Sequence, residues 1–229
     1  MLNRTLMSTS LTTTIERVSL REQVRSLLRA QVITGELQPG NMYVVADFAK
    51  ALGVSATPVR EALGDLAQLG LVEIVRNRGF VVPPLTDHDL DEIFQLRLMI
   101  EVGAVSRVAG KLSEAELADC ENAVSRCRRS AERGDLAGFL EADRDFHLGL
   151  LSALGNQRLL EIIDRLRDQT RLYGLLLLAP ERLIGSAEEH QSLLIAVAEG
   201  KRKVACEQLA RHLEHTRGLW AGREDAQAR

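Results

Sequence analysis

Asp143 and His147 stand four residues apart in a stretch whose apolar residues recur at Leu136, Phe139, Leu140, Phe146, Leu150 and Leu154. On a helix over 135–154 this spacing puts a carboxyl and an imidazole, one turn apart, on the face turned to a core. Such groups are costly there unless they satisfy each other or hold a ligand. At i, i+4 both can reach one metal ion, as a carboxylate oxygen and an imidazole nitrogen. His190 shares a face with Ala187, Leu194 and Val197, and His212 with Ala205, Leu209 and Leu219, so each points inward from a helix of its own. Three helices of a bundle can then converge on one interior site. A single inward histidine is more often a hydrogen-bonded core residue, and Asp143 has Arg97 and Arg144 as alternative partners. Three such histidines with an in-register aspartate favour a divalent metal centre of Asp143, His147, His190 and His212. His88, in a polar first turn, and His215, beside Gln208 and Arg211 on a polar face, stay outside the set. The same donors would suit a metal-activated water, hence a metal-dependent hydrolase, but no Glu, Lys or Tyr is placed by the sequence as a general base.

A second group of residues has the chemistry of DNA recognition. Ser55, Thr57 and Arg60 fall at the start of an apolar rhythm through Val59, Leu63, Leu66 and Leu69. Arg76, Arg78 and Gly79 lie in the tip between two β-prone runs, Leu71–Val75 and Phe80–Val82. An arginine one turn into a helix can give guanine two parallel hydrogen bonds, and hydroxyls there reach phosphate or base edges. Arginines at a hairpin tip suit phosphate or minor-groove contact.

The elements that must carry these residues follow from the hydrophobic pattern. Residues 1–15 are rich in Ser and Thr without periodicity and are expected to be a flexible tail. Leu20, Val24, Leu27, Leu28 and Val32 mark one face of a helix within 16–34, ended by Gly35 and Pro39-Gly40. A short helix over 45–52 stops at Gly53. In the third, Ser55 can cap and Pro58 sits in the first turn, where its missing N–H costs nothing. Three helices and a hairpin make a winged helix-turn-helix over 16–84, and Pro83-Pro84 reads as a linker. From 85 to 229 helical periodicity is nearly continuous, with helices expected over 86–110, 113–133, 135–154, 156–178, 183–199 and 201–221. Thr86 and Ser113, each with an acidic residue three positions on, look like N-caps. The fold class is mainly α: a winged helix-turn-helix followed by an antiparallel all-α bundle.

Composition agrees. The 229 residues are 45% hydrophobic, 27% charged and 3% aromatic, with a net charge of −3. Lys and Arg exceed Asp and Glu by two up to Pro84, whereas the remainder carries −5, the asymmetry expected if the front of the chain meets phosphate. No run approaches the roughly 18 apolar residues that span a bilayer. No secretory leader is recognisable and the three cysteines form no metal or disulfide motif, so a cytoplasmic, membrane-free location is expected.

Two stretches resemble a known family. Ile33-Thr34-Gly35-Glu36-Leu37-Gln38-Pro39-Gly40, Leu52-Gly53-Val54-Ser55, Thr57-Pro58-Val59-Arg60-Glu61-Ala62-Leu63 and Leu69-Gly70-Leu71-Val72 resemble the GntR family of bacterial regulators. The chain departs from it at Ala56, where an operator-contacting arginine is usual, and at Ala46, a second contact position. Asp143-Arg144-Asp145-Phe146-His147, Leu154-Gly155-Asn156, Glu189-His190 and Ala210-Arg211-His212-Leu213 are similar to the FCD domain of its FadR-type subgroup. The resemblance implies a homodimeric repressor or activator that binds double-stranded operator DNA. It further implies a zinc, nickel or manganese ion on the Asp and three His, and a small carboxylate effector against it, with Arg97 as a carboxylate anchor. The alternative for Arg97 is an i, i+4 pair with Glu101. A DNA-binding protein that uses the bundle only for dimerisation is a further rival, and the linker at 82–85 is the expected route from sensor to DNA-reading head.

Overall fold

The computed structural model describes residues 18–171 and 180–220. The expected tail, the last turns of the helix over 156–178, the break at 179 and the segment after 220 lie outside the described residues. The chain begins with α1 (Leu20–Ile33), β1 (Met42–Tyr43), α2 (Val45–Ala51), α3 (Ala56–Gln68), β2 (Glu73–Val75) and β3 (Gly79–Val81). Ser19 opens α1, its hydroxyl accepting from Glu22 N. Ser55 does occupy the N-cap of α3, yet its side chain makes no capping bond, so the expected cap is positional only. The apolar faces of α1, α3 and the wing close over Val24, Leu28, Val59, Leu63, Leu66, Leu71 and Phe80.

The wing has three strands, ordered β1-β3-β2 and antiparallel, with Tyr43 opposite Phe80 and Val75 opposite Gly79. Strand β1 was not foreseen, because two residues are too few for an alternation to register. Tyr43 and Phe48 pack on Phe80 with ring centroids 5.5 and 5.4 Å away. Gly79 is required by this pairing. Its φ is +145°, and a Cβ there would lie 1.9 Å from the carbonyl oxygen of Tyr43.

The C-terminal part holds α4 (Asp87–Arg97), a π-helical turn (Leu98–Val102), α5 (Gly103–Val108), α6 (Glu114–Glu132), α7 (Leu136–Ser152), α8 (Gln157–Arg171), α9 (Pro180–Ala198) and α10 (Arg202–Trp220). Thr86 and Ser113 form complete capping boxes with Asp89 and Glu116, as their spacing implied. The single helix expected over 86–110 is instead broken in phase by the π turn, a feature that often accompanies functional sites. Its main apolar cluster runs from Val105 and Val124 through Phe146 and Leu150 to Leu194, Val197 and Leu209. Among the described residues no helix is long and apolar enough to cross a membrane.

The two parts share packing. Ile33, the last residue of α1, is buried with Phe139, Leu140, Leu183 and Ala187 of the bundle. Gly79→Ala is expected to break the β1–β3 pairing and cost more than about 1 kcal/mol. Thermal unfolding followed by circular dichroism checks this; an unchanged midpoint would show that the wing can yield.

Candidate functional site

Helices α7, α9 and α10 bring the four expected donors to one point. His147 Nε2 lies 3.2 Å from His190 Nε2, which lies 3.2 Å from His212 Nε2. Asp143 Oδ1 is 3.6 Å from the first and 3.4 Å from the second. All four atoms fall within 4.8 Å of one another, and all four residues are buried. Donors that share one divalent cation at about 2.0–2.2 Å must stand about 3–4 Å apart, so this donor set fits a metal ion. His88 and His215 are exposed and take no place in it, as expected.

The atoms facing away from this point are held by a shell of charge. Asp143 Oδ2 accepts from Arg167 Nη2 at 2.6 Å, and Arg167 Nη1 reaches Glu101 Oε2 at 3.3 Å. Arg97 Nε donates to Glu101 Oε1 at 2.6 Å, so the pairing weighed for Arg97 is present. Glu101 Oε2 lies 3.5 Å from His147 Nδ1, and His212 Nδ1 lies 2.8 Å from Glu189 Oε2. Asp143 is thus bonded to Arg167, while Arg144 is occupied by Asp164, with two bonds of 2.6 Å.

Burial sets the protonation states. It pushes His147 down to about 3, helped by Arg167, and His190 well below its ordinary value, helped by its histidine neighbours. Both are neutral at physiological pH, the form that ligates metal. Burial alone would raise Glu101, yet Arg97 and Arg167 hold its carboxyl well below the usual carboxylate range. Burial lowers Arg97 to about 10, leaving it protonated at neutral pH.

Helix α8 meets the DNA-reading part as well as the centre. Asp168, next to Arg167, is 2% exposed and accepts from Arg29 Nε of α1 at 2.6 Å. Arg165 Nε and Gln169 Nε2 each donate to the carbonyl of Leu69 at 3.2 Å. Leu69 is the C-cap of α3, so α8 satisfies one of the carbonyls that a helix end leaves open. Gly70, at φ +74°, makes the approach possible: a Cβ there would stand 2.6 Å from Gln169 Nε2.

At the opposite end of the DNA-reading part, Ser55, Thr57, Arg60, Arg76 and Arg78 are exposed. Arg60 lines one groove of about 390 Å³ with Ala46, Arg76, Asn77, Arg78 and Gly79. Asp65, further along the same helix as Arg60, is bonded to Arg21. Sequence reasoning did not assign Arg167 or Glu189 to the site, and it took Glu101 only as a partner for Arg97. The adjacency of Glu189 to His190 and of Asp168 to Arg167 was visible, but which side each carboxylate faced was not.

The comparisons agree with this division. Residues 20–82 match the gntR family of bacterial regulatory proteins, and residues 92–215 match the FCD domain. The chain is 29% identical over 194 residues to the HTH-type transcriptional regulator McbR of Escherichia coli K12, covering 84% of this chain and 88% of McbR. It is 28% identical over 199 residues to a probable D-xylose utilization operon transcriptional repressor of Paenarthrobacter nicotinovorans, covering 87% and 88% of the two chains. The solved structure of E. coli McbR/YncC superposes with a TM-score of 0.80 at 27% identity, covering 90% of this chain and 99% of the other. A GntR regulator from Rhodococcus sp. RHA1 gives 0.75 at 26%, covering 88% and 97%.

Arg167→Met would leave Asp143 and Glu101 short of their shared cation in the interior, with an expected loss of about 3–5 kcal/mol. Urea denaturation measures it, with Arg128→Met, at the exposed pair with Glu132, as a control expected to stay within about 0.5 kcal/mol. Equal losses in the two variants would show that the cluster is not held by charge pairing.

Proposed function

The chain belongs to the GntR-type bacterial transcriptional regulators that carry an FCD domain, and from that premise we propose that it is a metal-containing, ligand-controlled DNA switch. In this reading Ser55, Thr57 and Arg60 meet base edges and phosphates of double-stranded operator DNA in the major groove. Arg76 and Arg78, with the wing turn at Gly79, contact the flanking backbone or minor groove. Two copies of the chain would read paired half-sites about 34–36 Å apart. Ala56 and Ala46 remove two side chains from that surface, so the operator is read chiefly through Arg60 and the wing.

Asp143, His147, His190 and His212 would hold a divalent ion, with zinc, nickel and manganese all compatible with N and O donors. When bound, such an ion supplies a Lewis-acidic point to which a small carboxylate effector can attach. The protein's own part is to keep His147 and His190 neutral by burial, to aim Asp143 from its bond with Arg167, and to present positive charge through Arg167 and Arg97. Arg167 Nε is buried with no acceptor; an N–H in that position is costly, and a carboxylate would give it a partner.

The observation that carries the switch is the double engagement of α8. Arg167 grips Asp143, while Arg165, Asp168 and Gln169 within the same two turns grip α1 and the end of α3. Any ligand that competes with Arg167 for Asp143 therefore bears on the seating of the recognition helix. This route supplements the expected one through the linker at 82–85.

The test uses full-length protein and a duplex that it has itself selected from a random library. Binding is followed by fluorescence anisotropy after chelation, after metal return, and with small mono- and dicarboxylic acids added. A 5- to 150-fold change in DNA affinity is expected, equivalent to about 1–3 kcal/mol of coupling. Asp168→Asn should bind metal normally yet lose most of that change. Protein purified without bound metal, whose DNA affinity ignores metal and acids alike, would end the proposal; a full response in Asp168→Asn would remove α8 from it.

A further inference from the structure

Each of the three imidazoles turns Nε2 to the centre, but their outer nitrogens meet different surroundings. His190 Nδ1 is buried and has no hydrogen-bond partner; its ring rests against Phe146, centroids 4.7 Å apart. His147 Nδ1 faces Glu101 at 3.5 Å, beyond a good hydrogen bond, and the charge of Glu101 is shared between Arg97 and Arg167. His212 Nδ1 stands 2.8 Å from Glu189 Oε2. Among the described residues no arginine or lysine pairs with Glu189; its other oxygen takes His215 Nδ1. A carboxylate at this distance is placed to accept the Nδ1–H of a ligating imidazole, which leaves Nε2 to face the centre.

We propose that Glu189 is the positioning residue of the metal centre, fixing the tautomer and ring orientation of His212 and making it the strongest nitrogen donor of the three. This rests on the metal reading above and adds to it an ordering among the ligands. Histidine ligands are strengthened when a carboxylate accepts their second N–H, and loss of that partner typically weakens metal binding 10- to 100-fold. Glu101 is a poorer candidate for the same role, since its charge is already spent on two guanidiniums. His215, 46% exposed at its side chain, is the solvent-side companion of Glu189 and not a ligand.

The test compares full-length wild type, Glu189→Gln, His215→Ala and His212→Ala. Zinc affinity is measured by competition with a chelating dye, and histidine tautomers by long-range 1H–15N correlation on chelator-treated protein. Glu189→Gln is expected to weaken zinc about 10- to 100-fold with an unchanged unfolding midpoint, and to lose the Nδ1–H signature of His212. His215→Ala should cost at most about fivefold, the scale of an exposed contact. Unchanged affinity in Glu189→Gln, or a loss in His215→Ala as large as in His212→Ala, overturns the assignment. Wild type that takes up no zinc would sink the metal reading instead, and the tautomer comparison would still decide the role of Glu189: lost Nδ1–H supports it, retained Nδ1–H refutes it.

Discussion

Two guanidiniums and two carboxylates lie inside one helical bundle. Arg97, Arg167, Glu101 and Asp143 are each less than a tenth exposed. Ions removed from water cost several kcal/mol apiece unless their partners are close and well aimed. Here every one of them is tied to another, and the ties run between helices: α4 to the π turn, α8 to the π turn, α8 to α7. The formal charges of the four cancel. The buried, neutral imidazoles of His147 and His190 then fill interior space without adding charge of their own. Much of the bundle's geometry can be read as what is needed to keep that arrangement paired.

The arrangement also explains why α8 is so polar. A helix with Asp164, Arg165, Arg167, Asp168 and Gln169 in two turns would ordinarily lie on the surface. In this chain one side of it faces buried charge and another faces the DNA-reading part, so both need polar groups. Its apolar strip is formed by Ile163 and Leu166, buried with Ile93, Ala104 and Leu151, and by Leu159 and Leu160 packed against them. The contact between the two parts combines a buried ion pair, Arg29 with Asp168, and one inserted apolar residue, Ile33. Polar interfaces of this kind within a chain are compatible with relative motion.

Much of this was legible in the residues alone. Asp143 and His147 declared themselves because a carboxyl and an imidazole interrupted an apolar stripe in phase with it, and His190 and His212 did so for the same reason. The capping boxes at Thr86 and Ser113 were legible because their chemistry is local. Arg167 was not. Its helix carries charge over about half its circumference, and nothing within that helix says which part of that half is buried; the answer lies on α7 and in the π turn, far away in sequence. Strand β1 was hidden by its two-residue length. Gly79, expected among the DNA contacts on account of the hairpin tip, has a structural demand that the sequence did not show, set by the carbonyl of Tyr43.

The π turn at Leu98–Val102 amounts to a helix with one residue too many. Winding the same residues as an unbroken α-helix would rotate everything upstream by about 100° relative to everything downstream. Arg97 would swing off the side that Glu101 occupies, and Leu90 and Ile93 would leave the core they now line. The irregularity is therefore a phase correction: it lets one segment serve two misaligned clients, an apolar core on its first turns and a charged interior on its last. A descendant of this chain could exchange many side chains along the segment, but at this length it could straighten it into an α-helix only by rebuilding both.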